Sequence, residues 1–564
     1  MARIRKIEIE NFRGIRSLIW LPKPGINCLI GPGDSGKSTV LDAIDWCLGA
    51  RRSVPVTDAD FHRMNIEDEI VIEVALGDLH DGLKSLDAYG PYLRGFNEDC
   101  EVEDEPGEVL ETVLSVRLTI GDELEPQWTL VSERAEAQGL SRNLSWADRL
   151  KIAPSRIGAF ANHHLSWQKG SILNLLSEEK ADASAQLVQA ARDARNSFGD
   201  SAGEQLEETL ALVAEAAQAL GVPVGDEVRA MLDAHSVSFS GGAISLHDSD
   251  GVPLRKLGLG SSRLLVAGLQ NKAAEAASIA LVDEVEIGLE PHRIAKFLRA
   301  LGSKSPDQGF QVFMTTHSPI VLRELSANQL HIIRGGDAHA ITYAGDADDV
   351  QGSLRSAPEA FLGGHVLICE GATEVGLIRG IDLYREENGL PTFGAAGGVC
   401  VDAGGVTKIY RNANPFARLG YHSAVLRDDD RKPKAADEET FEDRGGTVFK
   451  WTDDWAFEDE LFACLSEDAV YDLWNLAAEI HGEDKIEAHL TTACGEAIDL
   501  DEWLKNIDDD KRKKLAEAAK KGGWFKRISY MERAAHNIVA PDLKYAHKDL
   551  RSIIKRIYKW AGVP

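Results

Sequence analysis

Two groups of residues in this chain have the types and the spacing needed for phosphate chemistry. The first is the glycine-rich run Gly31–Ser38, which has the form G-x-x-x-x-G-K-S. The second is a set of carboxylates far downstream that includes Glu370 and Asp428. The first pattern is typical of loops that bind nucleoside triphosphates, and carboxylates are typical ligands of divalent cations. The combination favours, as a first hypothesis, a nuclease gated by ATP.

Each part of the glycine-rich loop predicts a contact with nucleotide. The glycines let backbone N–H groups approach the phosphates, Lys37 reaches the terminal phosphates, and Ser38 supplies a hydroxyl to magnesium. Apolar residues 26–30 predict a buried strand before the loop, and residues 37–48 predict a helix after it, whose dipole adds to phosphate binding. The residues expected to bind ATP here are Gly31, Pro32, Gly33, Asp34, Ser35, Gly36, Lys37, Ser38 and Thr39.

A second part of the nucleotide site is predicted at residues 278–284, Ser-Ile-Ala-Leu-Val-Asp-Glu. The apolar residues predict a buried strand that ends in two acids. Asp283 would hold magnesium, through water or directly, and Glu284 would polarise the water that attacks ATP. A buried strand that ends in solvated acids has the same appearance, but the position of this one after a phosphate loop favours the nucleotide interpretation.

Two further segments resemble ABC-type ATPases of the SMC and RecF group. Residues 257–263, Leu-Gly-Leu-Gly-Ser-Ser-Arg, are similar to a variant of their signature loop, with Ser261 near its centre. His317, in Thr-Thr-His-Ser, resembles their switch histidine, although an ordinary histidine at the edge of a core is the alternative. Gln168 is a weaker candidate for their loop glutamine. The resemblance implies that ATP is sandwiched between two copies of the domain, and therefore a homodimer or higher homo-oligomer.

The downstream carboxylates follow two predicted strands. Apolar residues 366–369 predict a strand that delivers Glu370 at its end, and Glu374 comes one helical turn later, so both can face one point. Asp428 and Asp430 follow a second apolar segment and share a face if the chain stays extended. Hard oxygen ligands from several strand ends suit Mg²⁺ or Mn²⁺. Acidic loops are usually only solvated, but the apolar strands that precede these acids favour a metal site.

The carboxylate pattern resembles the Toprim fold, and with an ABC-type ATPase in front of it the chain resembles the OLD family of ATP-dependent endonucleases. That family includes the nuclease subunit of the Gabija antiphage system. The resemblance implies that Glu370, Glu374, Asp428 and Asp430 are metal ligands and that Glu458 or Glu460 supplies a further carboxylate. It also implies a late catalytic lysine, Lys526 or Lys521, although solvated surface lysines are the alternative for that stretch.

The order of segments predicts an α/β fold class, and the resemblances imply an ABC/SMC-RecF-like ATPase head with a helical insertion, followed by a Toprim α/β domain with a helical C-terminal part. The expected boundaries are 1–170 and 237–350 for the two parts of the ATPase domain, 171–236 for the insertion, and 360–564 for the Toprim domain. A linker is expected near 346–358. The insertion is the candidate for self-association.

Composition sets outer limits on function. The chain has 564 residues, of which 44% are hydrophobic and 27% charged, and no apolar run approaches the roughly 20 residues of a membrane helix. We expect no secretion signal at its N-terminus and no membrane partner. The seven cysteines form no CxxC pair, which favours a reducing cytoplasm and disfavours zinc. The formal net charge is −29, yet residues 511–564 hold fifteen Lys and Arg against four Asp and Glu.

The leading hypothesis is an ATP-regulated, divalent-metal-dependent DNA endonuclease that uses ATP and Mg²⁺ or Mn²⁺ and acts on double-stranded DNA. A helicase-like partner and a role in antiphage defence rest on the resemblance alone. The alternative is a RecF-like, ATP-clamped DNA-binding or loading protein without nuclease activity of its own. Strand passage or primer synthesis is disfavoured, because neither a domain with a tyrosine nucleophile nor a zinc module is evident.

Overall fold

The structure is a computed structural model that describes residues 2–158, 246–272, 278–305, 310–336, 338–496 and 498–564, with a few short stretches between 164 and 211. The chain divides into two compact units. Unit 1 holds residues 1–28, 38–316 and 337–339, and unit 2 holds residues 29–37, 317–336 and 340–564. The α/β fold class predicted from the sequence is confirmed by mixed strands and helices in both units.

Unit 1 contains an antiparallel sheet with the strand order β2-β1-β4-β7-β5-β6, and β8 also pairs with β7. Ile7 and Ile9 share the buried face of the first strand because side chains two residues apart point to the same side, and a register shift between Ile4 and Lys6 accompanies the burial of Ile4 as well. The strands of this sheet are β1 (Arg3–Phe12), β2 (Ile15–Trp20), β4 (Ile70–Gly77), β5 (Leu93–Phe96), β6 (Val102–Glu103), β7 (Glu111–Ile120) and β8 (Pro126–Val131).

Unit 1 also contains the parallel strands that lead to the nucleotide motifs. In this part of the sheet β3 (Ile26–Ile30) lies beside β11 (Gln311–Thr315), followed by β10 (Ile279–Val282) and β9 (Ser155–Arg156). The helices of the same stretch are α1 (Lys37–Leu48), α2 (Leu86–Tyr89), α3 (Glu133–Ala137), α4 (Trp146–Ile152), α5 (Leu259–Lys272) and α6 (Pro291–Ala300).

Unit 2 is built around a four-stranded, fully parallel sheet with the order β15-β14-β16-β17. Its strands are β14 (His365–Cys369), β15 (Gly398–Asp402), β16 (His422–Arg427) and β17 (Thr447–Lys450). The apolar runs of β14 and β16 are buried throughout their central residues, as expected for inner strands of a parallel sheet. An antiparallel hairpin, β12 (Leu330–Arg334) and β13 (Ala340–Tyr343), precedes this sheet in the chain.

Helices make up the rest of unit 2, and the segment after residue 455 is mainly helical, as predicted. Its core joins the sheet to the C-terminal helices through residues such as Leu367, Leu461, Trp524 and Ile557. The helices are α7 (Pro319–Glu324), α8 (Asp348–Ser356), α9 (Ala372–Glu387), α10 (Val406–Arg418), α11 (Ala435–Asp443), α12 (Phe457–Cys464), α13 (Glu467–His481), α14 (Glu483–Cys494), α15 (Leu500–Trp503), α16 (Asp509–Gly522), α17 (Ile528–Ala534), α18 (Ala540–Asp542) and α19 (Lys548–Trp560).

One sequence-based expectation is wrong, and another lies mostly outside the described residues. The linker expected near 346–358 contains the helix α8, because Val350 and Leu354 lie one turn apart and are both fully buried. The helical insertion at 171–236 and Gln168 fall almost wholly outside the described residues. In the part of the chain that the structure describes, no helix has both the length and the apolar character needed to cross a membrane.

Candidate functional site

The glycine-rich loop, whose residues 31–37 belong to unit 2, forms a tight turn between the end of β3 and the start of α1. Gly31 has a φ of +152°, and a Cβ atom there would overlap the carbonyl oxygen of Ile333, so glycine is required at this point. Lys37 begins α1 and folds back over the loop, where its ammonium donates hydrogen bonds to the carbonyls of Gly31 (3.1 Å) and Pro32 (2.7 Å). The loop therefore has the closed shape and the lysine position of a phosphate cradle.

In unit 1, Asp283 follows β10 and is held by two hydroxyl groups. Ser38, which comes directly after Lys37 in α1, donates to Asp283 Oδ1 at 3.0 Å. Thr315, the last residue of β11, donates to the same oxygen at 2.6 Å. Because β10 and β11 are parallel neighbours, their carboxyl ends bring Asp283 and Thr315 together. Ser38 and Asp283, 245 residues apart in sequence, are thus adjacent, as the magnesium-binding prediction requires.

The next residue, Glu284, lies in a constrained turn. Its φ of +45° is uncommon for a residue with a side chain. Its backbone N–H donates to Thr315 Oγ1 at 2.8 Å. On the other side, the guanidinium of Arg263 donates to the carbonyls of Asp283 (3.2 Å), Glu284 (3.1 Å) and Ile287 (2.6 Å). The turn that presents Glu284 is therefore fixed by a threonine from one strand and an arginine from α5.

Helix α5 carries the segment predicted to be a signature loop, and it is packed closely on the same turn. Arg263 is 1% exposed, which makes its bonds to carbonyl oxygens an internal support rather than a surface contact. Gly260 lies so close to Gly288 that a Cβ atom at Gly260 would overlap the Gly288 carbonyl oxygen. Ser261 accepts a hydrogen bond from Arg293 at 3.1 Å. Small residues and one buried cation thus couple α5 to the segment that follows Glu284.

Two other side chains bear on the nucleotide motifs. Arg156, at the end of β9, lies 3.8 Å from Asp283 Oδ2 and 2.6 Å from Asp42 Oδ1. Asp42, Asp45 and Asp283 together outweigh the opposing effect of burial, so the pKa of Arg156 stays above its usual value. His317 is exposed in unit 2, between β11 and α7. Arg156 was not predicted from the sequence, since only the pairing of β9 with β10 brings it near Asp283.

The carboxylate group of unit 2 is assembled at the carboxyl edge of its sheet. Glu370 directly follows β14, and Asp428 directly follows β16, the strand beside it. The Asp428 N–H donates to Glu370 Oε2 at 3.0 Å. Asp428 Oδ1 in turn accepts from the N–H of Phe457 at 2.9 Å, which fixes the start of α12 beside it. Glu374 lies in the first turn of α9 and accepts from the Gly371 N–H at 3.0 Å.

Burial and mutual repulsion raise the pKa values of these acids. Burial, followed by the charges of Glu370, Glu458 and Asp430, raises the pKa of Asp428 to about 8. Burial and the Asp428 charge hold the pKa of Glu374 well above its usual value. Burial also raises the pKa of Glu370, against the Asp428 N–H that stabilises its charged form. Acids that are buried and close to one another need a compensating cation in order to be ionised together.

Two lysines approach the same acids. Lys520, on α16, donates to Asp430 Oδ2 at 2.6 Å and lies 3.9 Å from Asp459. Burial raises the pKa of Glu458, and the positive charges of Lys526 and Lys520 oppose that rise, so both lysines act on this acid. Lys521 instead points to solvent and pairs with Glu517 at 2.6 Å. Lys520 was not proposed from the sequence, although it lies in the lysine-rich stretch that was singled out.

Glu458 and Glu460 lie on different sides of α12. Glu458 contributes to the raised pKa of Asp428 and so lies within the carboxylate group. Glu460 is fully buried, and its carboxylate accepts from the Thr452 N–H at 3.2 Å and from the Cys464 thiol at 3.5 Å. Asp429, between Asp428 and Asp430, faces away. Burial acts to raise the pKa of Asp429, but the Asp454 N–H and the Arg427 guanidinium outweigh burial and hold this pKa below its usual value.

The donor chemistry of the group suits a hard divalent cation, but its geometry is not preorganised. Among the described residues, no three His, Cys, Asp or Glu side chains stand ready-placed around a common metal position. The side chains of the group are nevertheless carboxylates, whose pKa values are raised by burial and by one another's charges, and a divalent cation would favour their ionised forms. The residues therefore fit a magnesium or manganese ion that draws the carboxylates together.

The chain belongs to the family described as "AAA domain, putative AbiEii toxin, Type IV TA system", which it matches over residues 26–323. This range is slightly more than half of the chain and includes the glycine-rich loop, α5 and the Asp283–Glu284 turn. The ATPase part of the fold prediction is thereby confirmed at the level of the family.

Curated relatives match the chain in part. It is 24% identical to the OLD nuclease of Thermus scotoductus over 368 residues, which are 61% of this chain and 65% of that protein. It is 49% identical to the DNA replication and repair protein RecF of Chlorobium luteolum over 45 residues, which are 8% of this chain and 12% of that protein. The chain thus spans less than two thirds of the length of either relative.

Solved structures also align with the chain. An Smc head domain from Pyrococcus furiosus, bound to the C-terminal domain of ScpA, aligns with a TM-score of 0.35 and 12% identity, covering 61% of this chain and 96% of that one. The SMC head domain of Thermotoga maritima aligns with a TM-score of 0.28 and 14% identity, covering 60% of this chain and 98% of that one.

Proposed function

We propose that this protein is an ATP-regulated, divalent-metal-dependent DNA endonuclease of the OLD type. The observation that carries the proposal is the convergence of Glu370, Asp428 and Glu458 at one edge of a parallel sheet, with the pKa of Asp428 raised to about 8 by burial and by its acidic neighbours. The similarity to an OLD nuclease supports the same conclusion from sequence. The parallel sheet of unit 2 and its carboxylates are consistent with a Toprim domain.

Each residue of the carboxylate group has a proposed part in the reaction. Glu370, Glu374, Asp428, Asp430 and Glu458 would hold Mg²⁺ or Mn²⁺. The metal would supply an activated water and offset charge on the scissile phosphate. Because Lys520 and Lys526 already approach Asp430 and Glu458, their ammonium groups would offset the negative charge that develops on the phosphate oxygens.

The nucleotide motifs have proposed parts of their own. Lys37 and the loop N–H groups would contact the phosphates of ATP, while Ser38 and Asp283 would hold its magnesium. Glu284, presented by its constrained turn, would orient the attacking water. By analogy with two-copy ATPases, Ser261 and His317 would act across a homodimer, and nucleotide binding would set the rate of DNA cleavage.

A second candidate is an ATP-clamped DNA-binding or loading protein without nuclease activity. It is favoured by the short matches to RecF, which cover only 8% of this chain in the relative described above. The carboxylate group distinguishes the two candidates, because a loading protein has no need for buried acids of raised pKa.

Cleavage of supercoiled plasmid by the full-length protein tests the proposal. The protein is incubated with Mg²⁺ or Mn²⁺, with and without ATP, beside Glu370→Gln and the exposed control Glu439→Gln on α11. We expect metal-dependent nicking or linearisation by the wild type and the control, and at least about a 100-fold loss for Glu370→Gln, the scale seen when a key electrostatic group is removed. Equal cleavage by Glu370→Gln would reject the assignment, and absence of cleavage together with ATP-dependent DNA binding would favour the loading protein.

A further inference from the structure

The last helix of the chain, α19, carries a line of basic residues. Lys548, Arg551, Lys555 and Lys559 recur at intervals of three or four residues, so they lie on one side of the helix. Arg551, Lys555 and Lys559 are exposed. We call Lys548, Arg551, Lys555 and Lys559 the basic stripe. From first to last it extends about 16 Å along the helix axis, at 1.5 Å per residue.

The basic stripe is not neutralised by the protein. Within the described residues, the ion pair at this helix is formed by Asp549 with His547, and no carboxylate lies within ion-pair distance of any stripe cation. Lysines elsewhere in unit 2, such as Lys450 and Lys520, do pair with aspartates. In a chain of net charge −29, such a run of cations without a carboxylate partner is a local positive surface that suits an external anion.

The opposite side of α19 is not available for insertion into a membrane. Leu550, Ile553, Ile554, Ile557 and Tyr558 are all at most 8% exposed and belong to the core of unit 2. An amphipathic helix that binds lipid must bury its apolar face in the bilayer. Since the apolar face of α19 is already occupied, its exposed side offers mainly cations to a partner, which favours recognition by charge.

The position of the stripe relates it to the carboxylate group. The backbone N–H of His547, which precedes α19, donates to the carbonyl of Cys464, the last residue of α12, at 2.7 Å. Glu458 lies six residues earlier on the same helix α12, or about 9 Å along its axis at 1.5 Å per residue. The stripe therefore begins roughly one short helix away from the acids that are proposed to cut DNA.

We propose that the basic stripe of α19 binds the phosphate backbone of duplex DNA outside the cleavage site. This inference rests on the proposed nuclease function and adds to it the surface that holds the substrate. Double-stranded DNA carries about one negative charge per 1.7 Å of its axis, so the stripe spans the length of several phosphates. Backbone contacts of this type position DNA without reading its sequence.

The salt dependence of DNA binding tests the proposal. In a Glu370→Gln background without divalent metal, the full-length protein is titrated into a fluorescent duplex at several salt concentrations. Lys555→Gln with Lys559→Gln is compared with a control of equal charge change, Lys485→Gln with Lys505→Gln, which removes two other exposed lysines of unit 2. Glutamine keeps helix propensity and the buried face is untouched, so all proteins should melt at similar temperatures.

The stripe variant is expected to bind about tenfold more weakly, and its slope of log K against log salt should be shallower by about 1 to 2, while the control matches its parent. Unchanged affinity and slope in the stripe variant would overturn the inference. So would an unchanged slope with a changed mass in solution, which would make α19 an interface between copies of the chain. If the parent itself fails to bind DNA, the proposed function fails before the stripe is tested.

Discussion

At the scale of single residues, the carboxylate group of unit 2 stores unfavourable electrostatic energy. The pKa of Asp428, about 8, lies far above the usual value of about 3.9, because burial and neighbouring acids disfavour its charge. For a carboxyl whose pKa is higher in the folded than in the unfolded state, the free energy of unfolding falls as pH rises between the two values, here from about 4 to about 8. Without metal, the group therefore destabilises the fold at neutral and alkaline pH.

Neutralising Asp428 should stabilise the metal-free protein. In EDTA at pH 8, we expect Asp428→Asn to raise the free energy of unfolding by about 1–3 kcal/mol. This is a fraction of the free energy that the full pKa shift represents, at about 1.4 kcal/mol for each pKa unit. Thermal melting by circular dichroism measures this. Asp453→Asn is the control, since it removes only an exposed ion pair with Lys450 and should leave the melting temperature unchanged or lower it. A lower melting temperature for Asp428→Asn would contradict the electrostatic account.

Substitutions of Glu458 and Glu460, the two glutamates of α12 considered above, should have different effects on DNA cleavage. Glu458→Gln is expected to lower the cleavage rate by at least about 100-fold with an unchanged melting temperature, because it removes a proposed metal ligand. Glu460→Gln should keep cleavage, because Glu460 accepts hydrogen bonds from Thr452 and Cys464 inside the fold. Plasmid nicking rates measured side by side decide this, and the reverse order of effects would place the metal ligand at Glu460.

The two neighbouring lysines of α16 provide a similar comparison. Lys520→Ala should slow cleavage by about 10- to 100-fold, since Lys520 contacts Asp430 and its charge acts on Glu458. Lys521→Ala, one position further along, should have little effect, because Lys521 pairs with Glu517 in solvent. Single-turnover cleavage rates at saturating protein are the appropriate readout. Equal effects of the two substitutions would argue against a specific role for Lys520.

At the scale of elements, α5 is hydrogen-bonded to the turn after β10 and packed closely against it. Arg263 joins them through three carbonyl oxygens, and Gly260 allows the close approach of the Gly288 carbonyl. The predicted signature loop at the start of α5 is thereby tied to the backbone that presents Glu284. A displacement of α5 would change the position of Glu284.

Removing the hydrogen bonds of Arg263 should impair ATP hydrolysis more than nucleotide binding. We expect Arg263→Met to lower the kcat of ATP hydrolysis by at least about tenfold with less than a threefold change in the Kd for ATP, because the role proposed for Glu284 is in the transition state and adds little to ground-state binding. Arg263→Lys should recover part of the rate. Phosphate release and nucleotide titration measure the two quantities. Parallel loss of binding and rate, together with a lower melting temperature, would indicate a purely structural role.

The elements that the sequence predicted well are those with a local signature. Apolar runs followed by acids predicted β10, β14 and β16 correctly, and the glycine-rich loop predicted the turn before α1. Helix α8 was missed, since the segment 346–358 was expected to be a linker, whereas Val350 and Leu354 of this helix are buried together.

The site residues that the sequence missed depend on contacts distant in the chain. Arg156 reaches Asp283 only because β9 pairs with β10, and the hydrogen-bond partners of Arg263 are backbone carbonyls, which leave no trace in residue type. Lys520 differs from Lys521 only in its direction on α16, where it follows the buried side formed by Ala516 and Ala519. Side-chain direction of this kind requires exact helix limits, which the sequence alone did not supply.

At the scale of the whole molecule, nucleotide chemistry and carboxylate chemistry are combined in one acidic chain. A net charge of −29 repels DNA at long range, so the proposed DNA binding would have to use local cations such as the basic stripe. The family match covers the nucleotide motifs but ends at residue 323, before the carboxylate group begins. The proposed function of the whole chain therefore depends on whether nucleotide binding at these motifs changes the rate of cleavage at the carboxylate group.

The Lys37→Ala variant tests whether ATP regulates DNA cleavage, without assuming whether ATP raises or lowers the rate. If ATP regulates cleavage through the glycine-rich loop, the wild type should cut DNA at different rates with and without ATP, and Lys37→Ala should cut at one rate in both conditions. Lys37 is expected to contact the phosphates directly, so nucleotide affinity should fall by at least about tenfold. Lys84→Ala, an exposed lysine in unit 1, is the control. A persistent ATP effect in Lys37→Ala would place regulation at another site.

Binding of Mn²⁺ to the nucleotide-free protein is the most direct test of the central claim, that the buried acids of unit 2 form a divalent-metal centre. Electron paramagnetic resonance counts bound Mn²⁺ in the wild type, in Glu370→Gln with Asp428→Asn, and in the exposed control Glu439→Gln. The account predicts that the wild type and the control bind Mn²⁺ and that the double variant, still folded, loses it. Equal Mn²⁺ binding by all three proteins would contradict the account.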